Sequence, residues 1–177
     1  MVDLAEIQAA YYMVAATGVM IAALWYVWNY RNINRSRRIQ MFMQIYQQLT
    51  SEQHMKSWID VLNMEFKDYE EMEKKYGSDN NPEFFAKRYS LTYMYDGIGY
   101  LLKEKQIDID TAYQLGSLSF IYYWKKTESY MSESRRRYGH HQGENLDYLA
   151  RELVKYAEKI GKPIMVPETF AMYIPDK

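Results

Sequence analysis

The sequence predicts an all-α protein: an N-terminal single transmembrane helix that continues into a small cytoplasmic helical bundle, closed by an extended Pro-rich C-terminal tail. Three observations predict it. A run of uncharged, largely apolar residues extends from Ala9 to Trp28. Apolar residues beyond it recur at helical spacing, and no alternating strand pattern reaches comparable length. Gly77, Asn81-Pro82, Gly139, Gly143, Gly161 and Pro163 punctuate the periodic segments.

The Ala9–Trp28 run is AAYYMVAATGVMIAALWYVW. At about 1.5 Å per residue it covers roughly 30 Å, the thickness of a bilayer's hydrocarbon core. Tyr11 and Tyr12 stand at one end; Trp25, Tyr26, Trp28 and Tyr30 stand at the other. Amphipathic rings at both edges suit the two lipid–water interfaces. A cleavable signal peptide would begin with basic residues and end at small ones, whereas here Asp3 and Glu6 precede the run and Trp-Asn-Tyr-Arg follows it. A buried core helix of a soluble protein is rarely apolar on all faces over this length. Within the run, Ala15, Gly18 and Ala22 share a face on which a second membrane helix can approach closely.

Arg31, Arg35, Arg37 and Arg38 follow the run, and no Lys or Arg precedes it. The positive-inside rule then expects a protein of the cell membrane with its N-terminus outside and its larger part in the cytoplasm. The four arginines read first as a topology signal and nothing more; the other reading is that they hold anionic headgroups, at roughly 1 kcal/mol each near the surface. The organisation expected is residues 1–30 as tail and membrane helix, 31–49 as a basic juxtamembrane stalk, 50–161 as the cytoplasmic helical domain and 162–177 as the tail.

Ile39, Phe42, Tyr46 and Leu49 keep helical spacing into the stalk. Thr50-Ser51-Glu52-Gln53 reads as a capping box with Thr50 as N-cap and Gln53 reaching back. The helix after it places Met55, Trp58, Ile59 and Leu62 on one face. A charged stretch from Lys67 to Lys75 ends at Gly77, with Glu70, Glu71 and Glu73 facing Lys74 and Lys75. Asn81-Pro82 opens the next helix, with Asn as cap and Pro in the first turn. Its stripe is Phe85, Tyr89, Thr92, Tyr95, Ile98 and Leu102. Asp108 or Asp110 caps a further helix, with Leu115, Leu118, Ile121, Tyr122 and Trp124 on its apolar side and an end near Tyr138. The last helix starts at Glu144, carries Leu146, Leu149, Leu153, Tyr156 and Ile160, and stops at Gly161 and Pro163. The tail combines three prolines with Ile164, Met165, Val166, Phe170, Met172, Tyr173 and Ile174. It should dock in extended form, on its own bundle or on a neighbour; Ile164, Val166, Phe170, Tyr173 and Ile174 are the docking residues expected.

Composition excludes several classes. There is no cysteine, which removes disulfides, zinc fingers, iron–sulfur clusters and thiol catalysis. The formal net charge is −1, so the chain lacks the basic excess of a nucleic-acid binder. Hydrophobic residues make up 48%, too many for a disordered chain. Nineteen tyrosines among 16% aromatics suit buried contacts with one wet end, interfaces included. His140, His141 and Glu144 form the one tight group of metal-ligand residue types. A metal needs three or four ligands on a supported frame, and Gly139 and Gly143 favour a solvated loop. No cofactor is expected. Asp108-Ile109-Asp110 lacks the rest of a calcium loop. Arg135, Arg136 and Arg137 sit where the macrodipole of a helix C-terminus favours cations. The twelve methionines lie beside apolar positions and read as core filling. No phosphate loop or nucleophile elbow is present in the sequence.

One stretch carries a resemblance. Tyr95-Asp96-Gly97-Ile98-Gly99 leads into Leu101-Leu102-Lys103 and Ile107-Asp108; Tyr123-Trp124 follows, then Arg135-Arg136-Arg137, and Leu146-Asp147-Tyr148-Leu149-Ala150 closes the series. This order resembles a domain-of-unknown-function family of small prokaryotic membrane-anchored helical proteins. The resemblance spans Phe85 to Arg151, implies a membrane helix followed by a helical cytoplasmic part, and brings no activity with it. The tail after Gly161 lies outside it.

The function expected is a non-catalytic, single-pass accessory or structural subunit of a larger membrane complex, with a respiratory or monooxygenase complex as the kind of host. The alternative is a free-standing anchored adaptor or sensor whose helical domain binds a soluble partner; an enzyme with a bundle pocket and metal at His140 is the third. Partners expected are the bilayer and other membrane subunits, with a second copy of the chain admissible.

Overall fold

A computed structural model describes residues 3–139 and 141–166. Those residues form six α-helices and no strand: α1 (Leu4–Leu49), α2 (Glu52–Leu62), α3 (Tyr69–Tyr76), α4 (Pro82–Lys103), α5 (Ile109–Tyr138) and α6 (Glu144–Lys159). The all-α expectation is met. The chain divides into two units, one up to Met43 and one from Gln44 onward.

The first unit is the body of α1. It contains the one helix, among the described residues, that is long and apolar enough to cross a membrane, with a mean hydropathy of 1.6 over the best window and none of that window buried. Its aromatic and aliphatic side chains stand in the open on every face; Val14, Val19, Leu24 and Tyr11 are each at least 70% exposed. A helix apolar all round gains nothing from water, which is the physical basis for reading it as a span.

The second unit holds the last turn of α1 and the other five helices. Local signals start and stop them. Asp68, Asn81 and Asp108 cap α3, α4 and α5 by accepting the N–H groups of Glu71, Phe84 and Thr111, which relieves unpaired donors at each start. Pro82 occupies the first turn of α4. Gly139 ends α5 in the left-handed region (φ 65°). One cap is shifted from expectation. Ser51, not Thr50, caps α2 and accepts from His54 N–H, while the Thr50 hydroxyl donates to the Tyr46 carbonyl and so belongs to the preceding helix.

α6 packs chiefly against α4 and then α5. Its inward stripe is Leu146, Leu149, Ala150, Leu153 and Ala157, all buried. α4 presents Leu91, Thr92, Tyr95, Ile98, Gly99 and Leu102, and α5 presents Phe120, Ile121, Tyr123, Trp124, Tyr130 and Met131. Two expected stripes are corrected. On α5, Leu118 is 50% exposed although Leu115 is buried. The reason is Gly116, whose backbone leaves the helix and restarts it, so residues on either side no longer share one register. On α2, Met55 and Ile59 are exposed, and the buried pair is Val61 and Leu62. The face turned inward is set by Trp58, whose indole N–H donates to the Ser119 carbonyl of α5 at 3.1 Å.

Candidate functional site

Within the first unit, Ala15, Gly18 and Ala22 lie on one exposed face of α1, and a side chain at Gly18 would meet nothing within 4 Å. Arg31, Arg35 and Arg38 recur at i, i+4, i+7 and share a second face; Arg37 does not lie on it. Tyr26, Val27, Tyr30 and Asn34 continue that face as one open surface of the helix beside the three arginines. Among the described residues none of the four arginines forms an ion pair.

The second unit carries a groove of about 1290 Å³ between the end of α1, the start of α2 and one side of α4. Its walls present uncharged hydrogen-bonding groups: Gln44, Gln47, Gln48, Gln53 and the serines 51, 57 and 90. Lys87, at its rim, is occupied by Asp60 and Glu83 at 3.0 and 3.2 Å. His54 connects groove and core. Burial holds its imidazole below the ordinary histidine value, and its Nε2 lies 3.0 Å from the Tyr95 hydroxyl. Burial pushes the Tyr95 phenol above its ordinary value. Tyr95 therefore donates and neutral His54 accepts. The groove is open and somewhat larger than the roughly 300–1,000 Å³ usual for a small-molecule pocket.

Behind the groove lies a polar cluster that sequence reading did not find. Arg88 on α4 is 2% exposed. Its guanidinium sits over the rings of Tyr130 (4.5 Å), Phe85 (5.2 Å) and Tyr89 (5.6 Å). Its Nε and Nη2 are buried without a hydrogen-bond partner among the described residues. Compensation comes from the ring faces and, one step further, from Glu73, which accepts the Tyr130 hydroxyl proton. Burial raises the Tyr130 phenol, so it stays a donor to that carboxylate. Tyr69 stacks on Tyr130 at 5.1 Å, and the Arg137 guanidinium lies 4.3 Å from the Tyr69 ring centre. On the other side the Tyr123 hydroxyl and Thr92 Oγ1 lie 2.6 Å apart and 2.8 and 3.0 Å from the Arg88 carbonyl oxygen, which accepts from one hydroxyl while the second hydroxyl donates to the first. Burial pushes the Tyr123 phenol up to about 12. Arg88 escaped prediction because an arginine is ordinarily exposed; the available signal was its flanking by Phe85 and Tyr89 on a helix.

The motif residues between Tyr95 and Ala150 have structural work. Asp96 caps α6 from α4: its carboxylate accepts from Asn145 N–H (2.9 Å), Leu146 N–H (3.1 Å) and the Asn145 side-chain amide (3.0 Å). Gly99 lets the two helices close, since a Cβ there would lie 2.0 Å from the Asn145 carbonyl oxygen. Asp147 accepts from the Trp124 indole at 2.8 Å and pairs with Arg135 at 2.7 Å. Arg136 and Arg137 both pair with Glu133, holding its carboxyl down at about 2, and Arg137 also reaches Glu70. Of the acidic residues in α3, Glu71 pairs with Lys75 as the spacing predicts.

His140 lies outside the described residues. His141 is exposed and has Nδ1 2.8 Å from a Glu144 carboxylate oxygen. Among the described residues no group of three ligand-type side chains is placed to hold a metal ion. Of the tail, Phe170, Tyr173 and Ile174 lie outside the described residues. Ile164 and Val166 are half-buried around an exposed Met165, whose carbonyl accepts from the Tyr122 hydroxyl at 3.0 Å. This two-residue alternation is that of an extended segment lying on the second unit.

No family model matches the chain, and no curated protein and no solved structure matches it.

Proposed function

We propose that this chain is a single-pass, non-catalytic accessory subunit of a larger membrane protein complex, with its acidic N-terminal residues outside the cell membrane and the second unit in the cytoplasm. The observation that carries the reading is the run from Ala9 to Trp28, uncharged and exposed on every face. Such a surface is stable only in lipid or against another membrane helix. The arginines on one side of the run alone support the orientation. The open Gly18 face supports a membrane-embedded neighbour. The amide-lined groove and the exposed Met55, Ile59, Tyr93 and Leu118 supply contact surface outside the bilayer. Respiratory and membrane monooxygenase complexes are the hosts to examine first.

The test is isolation of the intact chain from native membranes in mild detergent. Other membrane proteins should co-purify in fixed stoichiometry. A monomer or self-assembled species without them would refute the subunit reading and favour an anchored adaptor. Digestion of the second unit by protease added outside intact cells would refute the orientation.

A further inference from the structure

We propose that the Arg31–Arg35–Arg38 face of α1 binds the phosphate of an anionic phospholipid, with the Tyr26 and Tyr30 rings bounding the site. The proposal rests on the membrane reading above and adds the chemical identity of the lipid.

The geometry starts from spacing. The three arginines recur at i, i+4, i+7, which aligns them on one helix face, while Arg37 falls roughly a third of a turn away. They lack counterions. The sequence has no Asp or Glu between Glu6 and Glu52, and none of these arginines forms an ion pair among the described residues. Three unneutralised guanidinium groups on one face make a local positive field, which an anion from outside the chain relieves.

Depth selects a lipid as the source. Arg31 lies three residues past Trp28, about 4.5 Å along the helix, and Arg38 about 15 Å. The headgroup layer adds roughly 5–8 Å on each side of the hydrocarbon core. Helical Cα–Cβ bonds tilt toward the N-terminus, which for this helix is the membrane side. Arg35 and Arg38 therefore lean back toward the headgroups, and long arginine stems allow it.

Shape agrees. The open surface along this face has Val27 and the Tyr26–Tyr30 pair, whose rings are near-parallel at 6.4 Å, as its apolar part. Its polar part is Asn34 and the arginines. That order, apolar toward the span and cationic away from it, is the order of a phospholipid: acyl chain, then phosphate. The guanidinium fork matches two phosphate oxygens at once. A zwitterionic lipid sets a cationic group beside its phosphate, which cancels much of the attraction, so the site should distinguish anionic lipid from it.

The experiment uses the purified full chain, so that biogenesis plays no part. It is reconstituted into phosphatidylcholine vesicles with and without a minor fraction of phosphatidylglycerol. Flotation in the pure phosphatidylcholine sample reports insertion, and native mass spectrometry reports the lipid retained. Insertion should occur in both samples. The wild-type chain should retain phosphatidylglycerol over phosphatidylcholine by roughly fivefold or more. Arg31→Gln/Arg35→Gln/Arg38→Gln should insert with unchanged helix content and lose the preference; Arg37→Gln should keep it. Insertion without preference in the wild type overturns the proposal and leaves the membrane reading standing, as does a triple variant that retains the preference. Equal loss in Arg37→Gln would reduce the site to general charge and also overturn it. Failure to insert at all would refute the membrane reading itself.

Discussion

Replacing Asp96 by Ala should destabilise the second unit through α6, a helix that Asp96 does not belong to. α6 begins at Gly143, which has φ 76° and no side chain to accept a backbone N–H. Its exposed donors are served from α4. Asp96 takes Asn145 N–H at 2.9 Å, Leu146 N–H at 3.1 Å and the Asn145 amide at 3.0 Å. Loss of an N-cap acceptor costs about 0.5–2 kcal/mol, loss of a negative charge at a helix N-terminus about 0.3–1 kcal/mol, more when partly buried, and donors left unpaired in a half-buried seam add about 1 kcal/mol or more. The contributions overlap, so Asp96→Ala should cost about 2–4 kcal/mol. For a chain of this size the unfolding midpoint then falls by about 4–16 °C. Asp96→Asn keeps one acceptor and loses the charge, and should cost about 1–2 kcal/mol. The assay is urea or thermal unfolding of the detergent-solubilised chain by circular dichroism, with hydrogen exchange at Asn145 and Leu146. Those two amides should lose protection in the Ala variant before the middle of α6 does. An Ala variant within about 0.5 kcal/mol of wild type, or unchanged exchange at both amides, would refute the capping argument.

Three further predictions follow from the same packing. Gly99→Ala places a methyl 2.0 Å from the Asn145 carbonyl oxygen, which is backbone and cannot swing aside; it should cost about 1–3 kcal/mol or more, and an unfolding midpoint equal to wild type would contradict the close approach. Arg88→Met should be neutral or stabilising by about 1–4 kcal/mol, because it removes a buried charge with two unpaired donors and keeps the volume; Arg88→Ala should destabilise by leaving a cavity, and a Met variant as unstable as the Ala variant would show that the charge itself holds the core. The pH dependence follows from His54, whose imidazole burial holds below its ordinary value of 6.5. The unfolded chain then binds the extra proton first, so the stability that neutral His54 provides is complete above the unfolded value and declines as the pH falls through 6.5 toward the folded value. The wild-type minus His54→Gln difference in urea midpoint should shrink as the pH drops from about 7.5 to 5; a difference that grows toward acid would reverse the assignment.

Features that neighbouring residues settle among themselves are legible in the sequence. Asn81-Pro82, Asp108, Gly139 and Gly161 mark helix ends because capping and backbone restriction act within one turn, and they are read from adjacent letters. The Ala9–Trp28 run is legible for the same reason, since its hydropathy is a local sum. Even the shift of the α2 cap from Thr50 to Ser51 is an error of one residue between two good capping types. Tertiary structure decided which side chain serves which helix. Asp96 lies 49 residues from Asn145, Tyr130 lies 57 from Glu73, and Trp58 lies 61 from Ser119. Nothing in the local pattern selects those pairs. Leu118 is outside and Tyr123 inside because five residues set them about 140° apart on the helix after Gly116, and the other helices pack on the Tyr123 side. Arg88 is inside because three aromatic rings close over it. Burial is a property of the assembled neighbours, and the free energy of a charged or aromatic side chain depends on what they place against it.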